Sequence, residues 1–316
     1  MNTHLEQALT RLEFGDVQQS GSVVIIPLFT AGNKGPDYIT LREAMAAELL
    51  TVREISEAGS VPELRVENTA DVPVLIVDGE EFRGAKQNRV VNTSILLAAN
   101  STATIPVSCT ERGRWAYRNH RFEDSSLVMA REARAAKVRS VSSSLEYARS
   151  FRSDQGRVWK EVDSLHSKLG VRSGTGAMRD SYETHRQRLH EWQSAFPCLS
   201  GQSGFIAFAN GAAAGMDLLS RPGAYAQLHE RLVKSYLIDL LGPSETKEYS
   251  ICTHDARNFI NDLRSLYECA YPAVALGEDL RYEGNEICGS ALMYESVAIH
   301  TAFFRTEGHS ARREFR

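Results

Sequence analysis

The densest polar block of the chain is DGEEFRGAKQNRVVNTSI, residues 78–95. Its side chains suit recognition of a phosphorylated, hydroxyl-rich molecule. The carboxylates of Glu80 and Glu81 can accept from ribose hydroxyls or hold a cation, and Lys86 and Arg89 can donate to phosphate. The amides of Gln87, Asn88 and Asn92 each offer a paired donor and acceptor. Gly79 and Gly84 allow the sharp backbone that would draw such groups together. An apolar run, 74–77, enters the block and another, 90–97, leaves it, so it reads as a loop carried on rigid strands, a usual place for binding residues. The same composition also describes a solvated hairpin loop whose charges pair with one another.

A second block, IPVSCTERGRWAYRNHRF, covers residues 105–122. Glu111, Arg114 and Trp115 follow a strand that ends at Cys109. Aromatics alternating with arginines suit stacking on a base and pairing with phosphate. Cys109 beside arginines fits either a thiol of lowered pKa or a buried strand-end cysteine acting as a small hydrophobe, the commoner case. Trp115 by type is most often a core residue. The spacing from Cys109 to Arg114 leaves four residues between them, so the Cys-x5-Arg loop of cysteine phosphatases is absent.

Weaker patterns are excluded on spacing. GVRSGTGAM, 170–178, matches neither GxxxxGK[ST] nor GxGxxG and reads as a loop between helices. His185 and His190 lie five apart, which is not the i, i+4 pair of HExxH. Ser203 in GQSGF lacks one residue of the GxSxG elbow. The arginines of 131–139 read as a solvated helix face.

The elements that must position these residues follow from periodicity. Residues 3–12 predict a short amphipathic helix, 23–29 a buried strand and 38–50 a helix. Strands follow at 52–55, 64–67, 74–77, 94–98 and 103–109. Then come helices at 127–148, at 158–169 between an N-cap at 153–155 and a stop at Gly170, and at 177–195. Residues 204–210 and 212–218 form a hairpin about Asn210-Gly211, a type I′ signal. Helices are expected at 225–241 and 254–268, and strands at 280–283, 290–294 and 298–304. GFIAFANGAAAGMDLL and GSALMYESVAIHTAFF echo one another as strand, tight turn, strand. The expected class is α+β: a β-rich N-terminal half (a sandwich or barrel-like sheet) with central helices and a mixed C-terminal part. The organisation is an extension at 1–19, one family-sized unit at 20–304 with parts 20–122, 123–197 and 198–304, and a frayed tail at 305–316.

Composition bounds the class. The 316 residues are 42% hydrophobic and 24% charged, as in a globular protein. No run approaches membrane-helix length, and residues 1–14 lack a basic head before an apolar stretch, so neither a membrane span nor a signal peptide is expected. Five scattered cysteines with no CxxC pair favour reduced thiols and a cytoplasmic location. The net charge of −4 is uneven: −8 over residues 1–80, +9 over 81–190 and −5 over 191–316. A basic middle suits either an anion-binding surface or charge pairing between layers of one fold. Without an RNA-binding motif it argues weakly for nucleic acid.

Five segments together, DGEEFRGAKQNRVVNTSI, IPVSCTERGRW, SDQGRVWKEV, GFIAFANG…LHERLVKSYLIDLL and GSALMYESVAIHTAFF, resemble the ADP-ribosylglycohydrolase (ARG) and rhodanese-phosphatase-superfamily-associated protein family. The likeness runs in order from about residue 20 to 304. The company that gives the family its name implies a role near ADP-ribose or NAD-derived metabolites, as binder or processor. The expectation is a protein that binds, and in an enzyme version hydrolyses, an ADP-ribose-like ligand. Glu80 or Glu81 would then act as general base or metal ligand, while Lys86 and Arg89 stabilise phosphate charge. Gln87, Asn88, Asn92, Glu111, Arg114 and Trp115 complete the expected site. No cofactor is specified, and metal dependence stays open. The alternative is a scaffold or homo-oligomer whose polar block forms the subunit interface.

Overall fold

Val23 and Ile25 face one way along a strand, Val24 and Ile26 the other, and all four are fully buried. A strand with both faces covered carries an unbroken apolar run instead of an alternating one. In the computed structural model, which describes residues 1–30, 35–56, 62–115, 121–241 and 248–306, this strand, Val23–Thr30, lies in a nine-stranded antiparallel sheet. Across that sheet come Leu12–Phe14, Val23–Thr30, Gly204–Ala209, Ala212–Leu219, Val297–Arg305, Ile287–Tyr294, Glu278–Glu283 and Tyr267–Pro272, with Gln18–Ser20 also on Val23–Thr30. Helices Arg131–Ala148, Gln155–Leu169 and Pro222–Leu240 cover one face, through residues such as Val138, Val162 and Leu232. Helices Thr3–Thr10 and Thr253–Leu263 cover the other, burying Leu5, Leu9, Phe259 and Leu263.

The N-terminal half builds a separate β unit. Six antiparallel strands run in the order Phe122–Val128, Glu80–Gly84, Arg89–Val91, Ser101–Cys109, Glu63–Asn68, Leu50–Glu54, and a small sheet pairs Ile95–Leu97, Val74–Ile76 and Ile39–Thr40. The larger sheet curls about Val52, Leu64, Val66, Phe82, Ile105 and Phe122, with helix Leu41–Ala46 against the same core. The α+β class and the barrel-like N-terminal sheet expected from the sequence are both present.

Several boundaries differ. The helix expected over 38–50 is only Leu41–Ala46, opened by a capping box of Thr40 and Glu43 and followed by the strand Leu50–Glu54. The one expected over 127–148 starts at Arg131, because Phe122–Val128 pairs with Glu80–Gly84. The one expected over 177–195 breaks at His185 into Met178–Thr184 and Arg186–Gln193. Residues 267–268, expected in a helix, begin the edge strand Tyr267–Pro272. The two echoing segments are both hairpins with two-residue turns of positive φ, Asn210-Gly211 and Glu295-Ser296, and their strands Ala212–Leu219 and Val297–Arg305 pair side by side. The tail 307–316 lies outside the described residues.

The β unit, the helix Arg131–Ala148 and the large sheet meet at a buried set of charges. Arg134 donates to both oxygens of Asp217, at 2.9 and 3.1 Å, and through Nε to Asp78 at 3.3 Å. Lys137 contacts Asp78 and donates to the carbonyl of Asn92 at 3.0 Å. Asp217 also accepts from Tyr236 at 2.9 Å and faces His300 Nε2 at 3.2 Å. Since a carboxylate only accepts, Nε2 carries the proton; in the neutral ring Nδ1 accepts from Ser94 at 2.7 Å, whose oxygen accepts from the Asp78 amide at 3.0 Å. Arg134, Lys137, Asp78 and Asp217 are all fully buried. Gly79 completes the fit: its φ is +83°, and a Cβ there would meet Arg134 Cδ at 3.0 Å.

Burial would raise the pKa of Asp217, yet Arg134 and the His300 hydrogen bond outweigh it and hold the carboxyl below its usual range. A depressed carboxyl contributes stability that is present above its unfolded pKa and lost as pH falls through the folded one. Asp217→Ala is therefore expected to cost about 3–5 kcal/mol at neutral pH, because it leaves Arg134 buried beside an empty position. Urea titrations at pH 7 and pH 3 check both the loss and its shrinkage in acid.

Candidate functional site

Residues 78–95 form a tight hairpin instead of the open loop read from the sequence. Glu80–Gly84 pairs with Arg89–Val91, matching Glu81 to Val90 and Phe82 to Arg89. Residues 85–88 make the turn, entered through Gly84 at φ +126° and Ala85 at φ +39°. Residue 114 closes over that turn. Arg114 donates to the carbonyls of Ala85 and Gly84 at 2.7 and 3.3 Å, to Asn88 Oδ1 at 3.3 Å and to Glu111 at 2.7 Å. Glu111 also accepts from the Asn88 amide at 3.3 Å and from Thr175 at 3.0 Å. The two polar blocks therefore converge, and Asn88, Glu111 and Arg114 hold the turn in place.

Beside the clamp lies a second group. Arg89 is fully buried and donates through Nη1 to Gln87 at 2.8 Å and to Cys109 Sγ at 2.8 Å. Its Nη2 faces Glu54 at 3.7 Å, too long for a hydrogen bond. The Nε and Nη2 of Arg89 and both carboxylate oxygens of Glu54 are buried and make no hydrogen bond among the described residues. Trp115 covers this group; its ring centre lies 5.7 Å from the Arg89 guanidinium and 5.3 Å from Lys86 Nζ. Of the two readings open for Trp115, core residue or ligand contact, the core one does not hold: Trp115 is 49% exposed, and Ile55, next to Glu54, is 42% exposed. Burial pushes the Cys109 thiol up to about 11 against the pull of Arg89. Cys109 is thus a buried, protonated thiol.

The other expected residues point elsewhere. Glu80 accepts from the Val77 amide and from Arg231, both at 2.7 Å, and Arg231 also grips Asp124 at 2.9 and 3.1 Å. Glu81 accepts from Thr110 at 2.6 Å. Asn92 donates to the Phe151 carbonyl at 2.9 Å and accepts from Ser108 at 2.7 Å, tying the β unit to the segment after the helix Arg131–Ala148. Burial raises both Glu80 and Glu81 to about 7, with Arg231 opposing it at Glu80, and the Thr110 and Ser125 hydroxyls opposing it at Glu81. Among the described residues no group of three His, Cys, Asp or Glu side chains could hold a metal ion.

A family model described as the ARG and Rhodanese-Phosphatase-superfamily-associated Protein domain matches residues 11–304. The chain belongs to this family. No curated protein and no solved structure matches it. Within this family domain, sequence reasoning missed Glu54, Thr110 and Arg231. Nothing local marks Glu54, which sits at the end of a short strand and meets Arg89 only through sheet curvature. Arg231 lies among apolar residues of a helix, where a charge at a core-facing position is the available signal. No described helix is long and apolar enough to cross a membrane.

Glu81 offers a test of this geometry. A carboxyl whose folded pKa, about 7, exceeds its ordinary 4.5 contributes stability present below pH 4.5 and lost as pH rises through 7. Glu81→Gln, which keeps the Thr110 contact, should flatten that decline. Relative to wild type it should gain up to about 3 kcal/mol between pH 4 and pH 8, at about 1.4 kcal/mol per pKa unit. Denaturant melts of both proteins across that range measure it.

Proposed function

We propose that this protein binds a phosphate-bearing, nucleotide-derived ligand of the ADP-ribose type at the corner formed by Lys86, Gln87, Arg89 and Trp115, with Glu54 behind it. One observation carries the reading: an exposed Trp115 lies over the buried guanidinium of Arg89, whose Nε and Nη2, like the carboxylate oxygens of the facing Glu54, make no hydrogen bond among the described residues. Buried polar groups are normally satisfied, and leaving one unsatisfied costs about 1–3 kcal/mol. A base would stack on the open face of Trp115, while Lys86, with the buried charge of Arg89 behind the ring, attracts the phosphates. The family's association with ADP-ribosylglycohydrolases agrees with this ligand class.

The support is for binding. Glu80 and Glu81 are turned to Arg231 and Thr110, so neither is presented to a ligand on Trp115 as a general base. The scaffold reading gains nothing from a block whose Glu80, Glu81, Asn88, Arg89 and Asn92 are buried within one chain. Calorimetry with ADP-ribose, NAD and AMP tests the proposal, with tryptophan fluorescence as a second readout. ADP-ribose is expected to bind and quench, and Trp115→Ala to weaken it by about tenfold or more, the scale of one lost stacking contact. No heat with any of the three at high protein concentration would end the proposal.

A further inference from the structure

A cavity of about 230 Å³ opens where the strand Phe122–Val128 meets the helices Met178–Thr184, Arg186–Gln193 and Pro222–Leu240. The strand makes the room. Its pairing with Glu80–Gly84 slips between Asp124 and Val128, and Ser126 takes φ +59°, so the bulged Ser125, Ser126 and Leu127 become a wall of the cavity. We propose that this cavity is a second ligand site, separate from the Trp115 corner, and that it takes a small sugar phosphate.

Three cations supply the phosphate end: Arg179, Arg186 and Lys234, each from a different helix. Arg179 is held in place by donating to the Ser125 carbonyl at 2.9 Å. Its acidic partner, Glu183 at 2.7 Å, and that of Lys234, Glu230 at 2.5 Å, are 50% and 58% exposed. Ion pairs so open to water contribute little, so a phosphate can displace them at small cost. Arg186 makes no ion pair among the described residues. A guanidinium pair and an ammonium converging on one cavity match the oxygens of a phosphate monoester.

The remaining wall fits the sugar. Leu189 and the ring of Tyr182 offer apolar surface to its carbon face. Behind Ser125 lies Glu81, fully buried and accepting from Thr110 on its other side at 2.6 Å. Ser125 and Arg179 of the cavity wall both act on that carboxyl. Ser125 can thus donate inward to Glu81 and accept a sugar hydroxyl on its outer side. The volume sets the size: pockets for larger, drug-sized ligands run to about 300–1,000 Å³, so an entire dinucleotide does not fit.

Titration calorimetry with ribose 5-phosphate, inorganic phosphate and ribose tests the site on the full chain. Ribose 5-phosphate is expected to bind, inorganic phosphate to bind more weakly, and ribose to give no heat. Arg186→Glu with Lys234→Glu should weaken ribose 5-phosphate by about tenfold or more, while Trp115→Ala leaves it unchanged. Arg257→Glu, on the opposite face of the large sheet, serves as the control for general charge. The proposal is overturned by no binding at about 10 mM ligand, a weak-affinity limit. Equal losses from the Arg186/Lys234 and Arg257 reversals would overturn it too. Circular dichroism of the doubly reversed variant confirms that it is folded, and Arg186→Gln replaces it if it is not.

Discussion

Arg134 sits where no water reaches it, and its charge is answered by Asp217 from the large sheet and Asp78 from the β unit. An ionised group in that environment is tolerable only when every donor finds a fixed acceptor. The pairing therefore constrains three elements at once: the helix that carries Arg134, the strand that carries Asp217, and the turn after Val77. Lys137 one turn along and His300 on the neighbouring strand extend the same network. Such a junction orients layers more than it adds net stability, because desolvation consumes much of the Coulomb gain. Apolar contacts alone would let the β unit slide against the sheet; directional charge pairs do not.

The hairpin at 80–91 inherits its position from that junction. Gly79 passes close over Arg134, and the strand that follows delivers Glu80 to Arg231 and Glu81 to Thr110. Most of the hairpin's polar groups are thus spent on holding the backbone, as are Asn88, Glu111 and Arg114 at its tip. What distinguishes Arg89 and Glu54 is that their hydrogen bonds are incomplete among the described residues while an aromatic plate stands open to solvent beside Arg89. The side chains proposed to bind and those that hold the fold share residue types and differ in whether their hydrogen bonds close among the described residues.

Much of the architecture was legible in local patterns. The continuous apolar run at 23–29 announced a strand buried on both faces, and Asn210-Gly211 announced a hairpin turn. The glycines at 79 and 84 signalled unusual backbone, and both have positive φ. Strands at 80–84 and 122–128 were illegible because polar or charged residues fill most of their positions on both faces, so no alternation appears. The arginines of 131–139 misled for a related reason. Arg134 and Lys137 look like a solvated face until the acids that bury them, Asp78 and Asp217, are brought from distant parts of the chain.

The sequence by itself determined the α+β class, the family, the two polar blocks and the elements with strong hydrophobic period, because these depend on neighbours a few residues apart. Only the tertiary structure decided which of the polar residues are consumed by the fold. Whether a carboxylate meets a guanidinium, a hydroxyl or nothing is fixed by sheet register and helix docking. Those join residues such as Glu54 with Arg89, or Glu80 with Arg231, across separations that no local pattern spans.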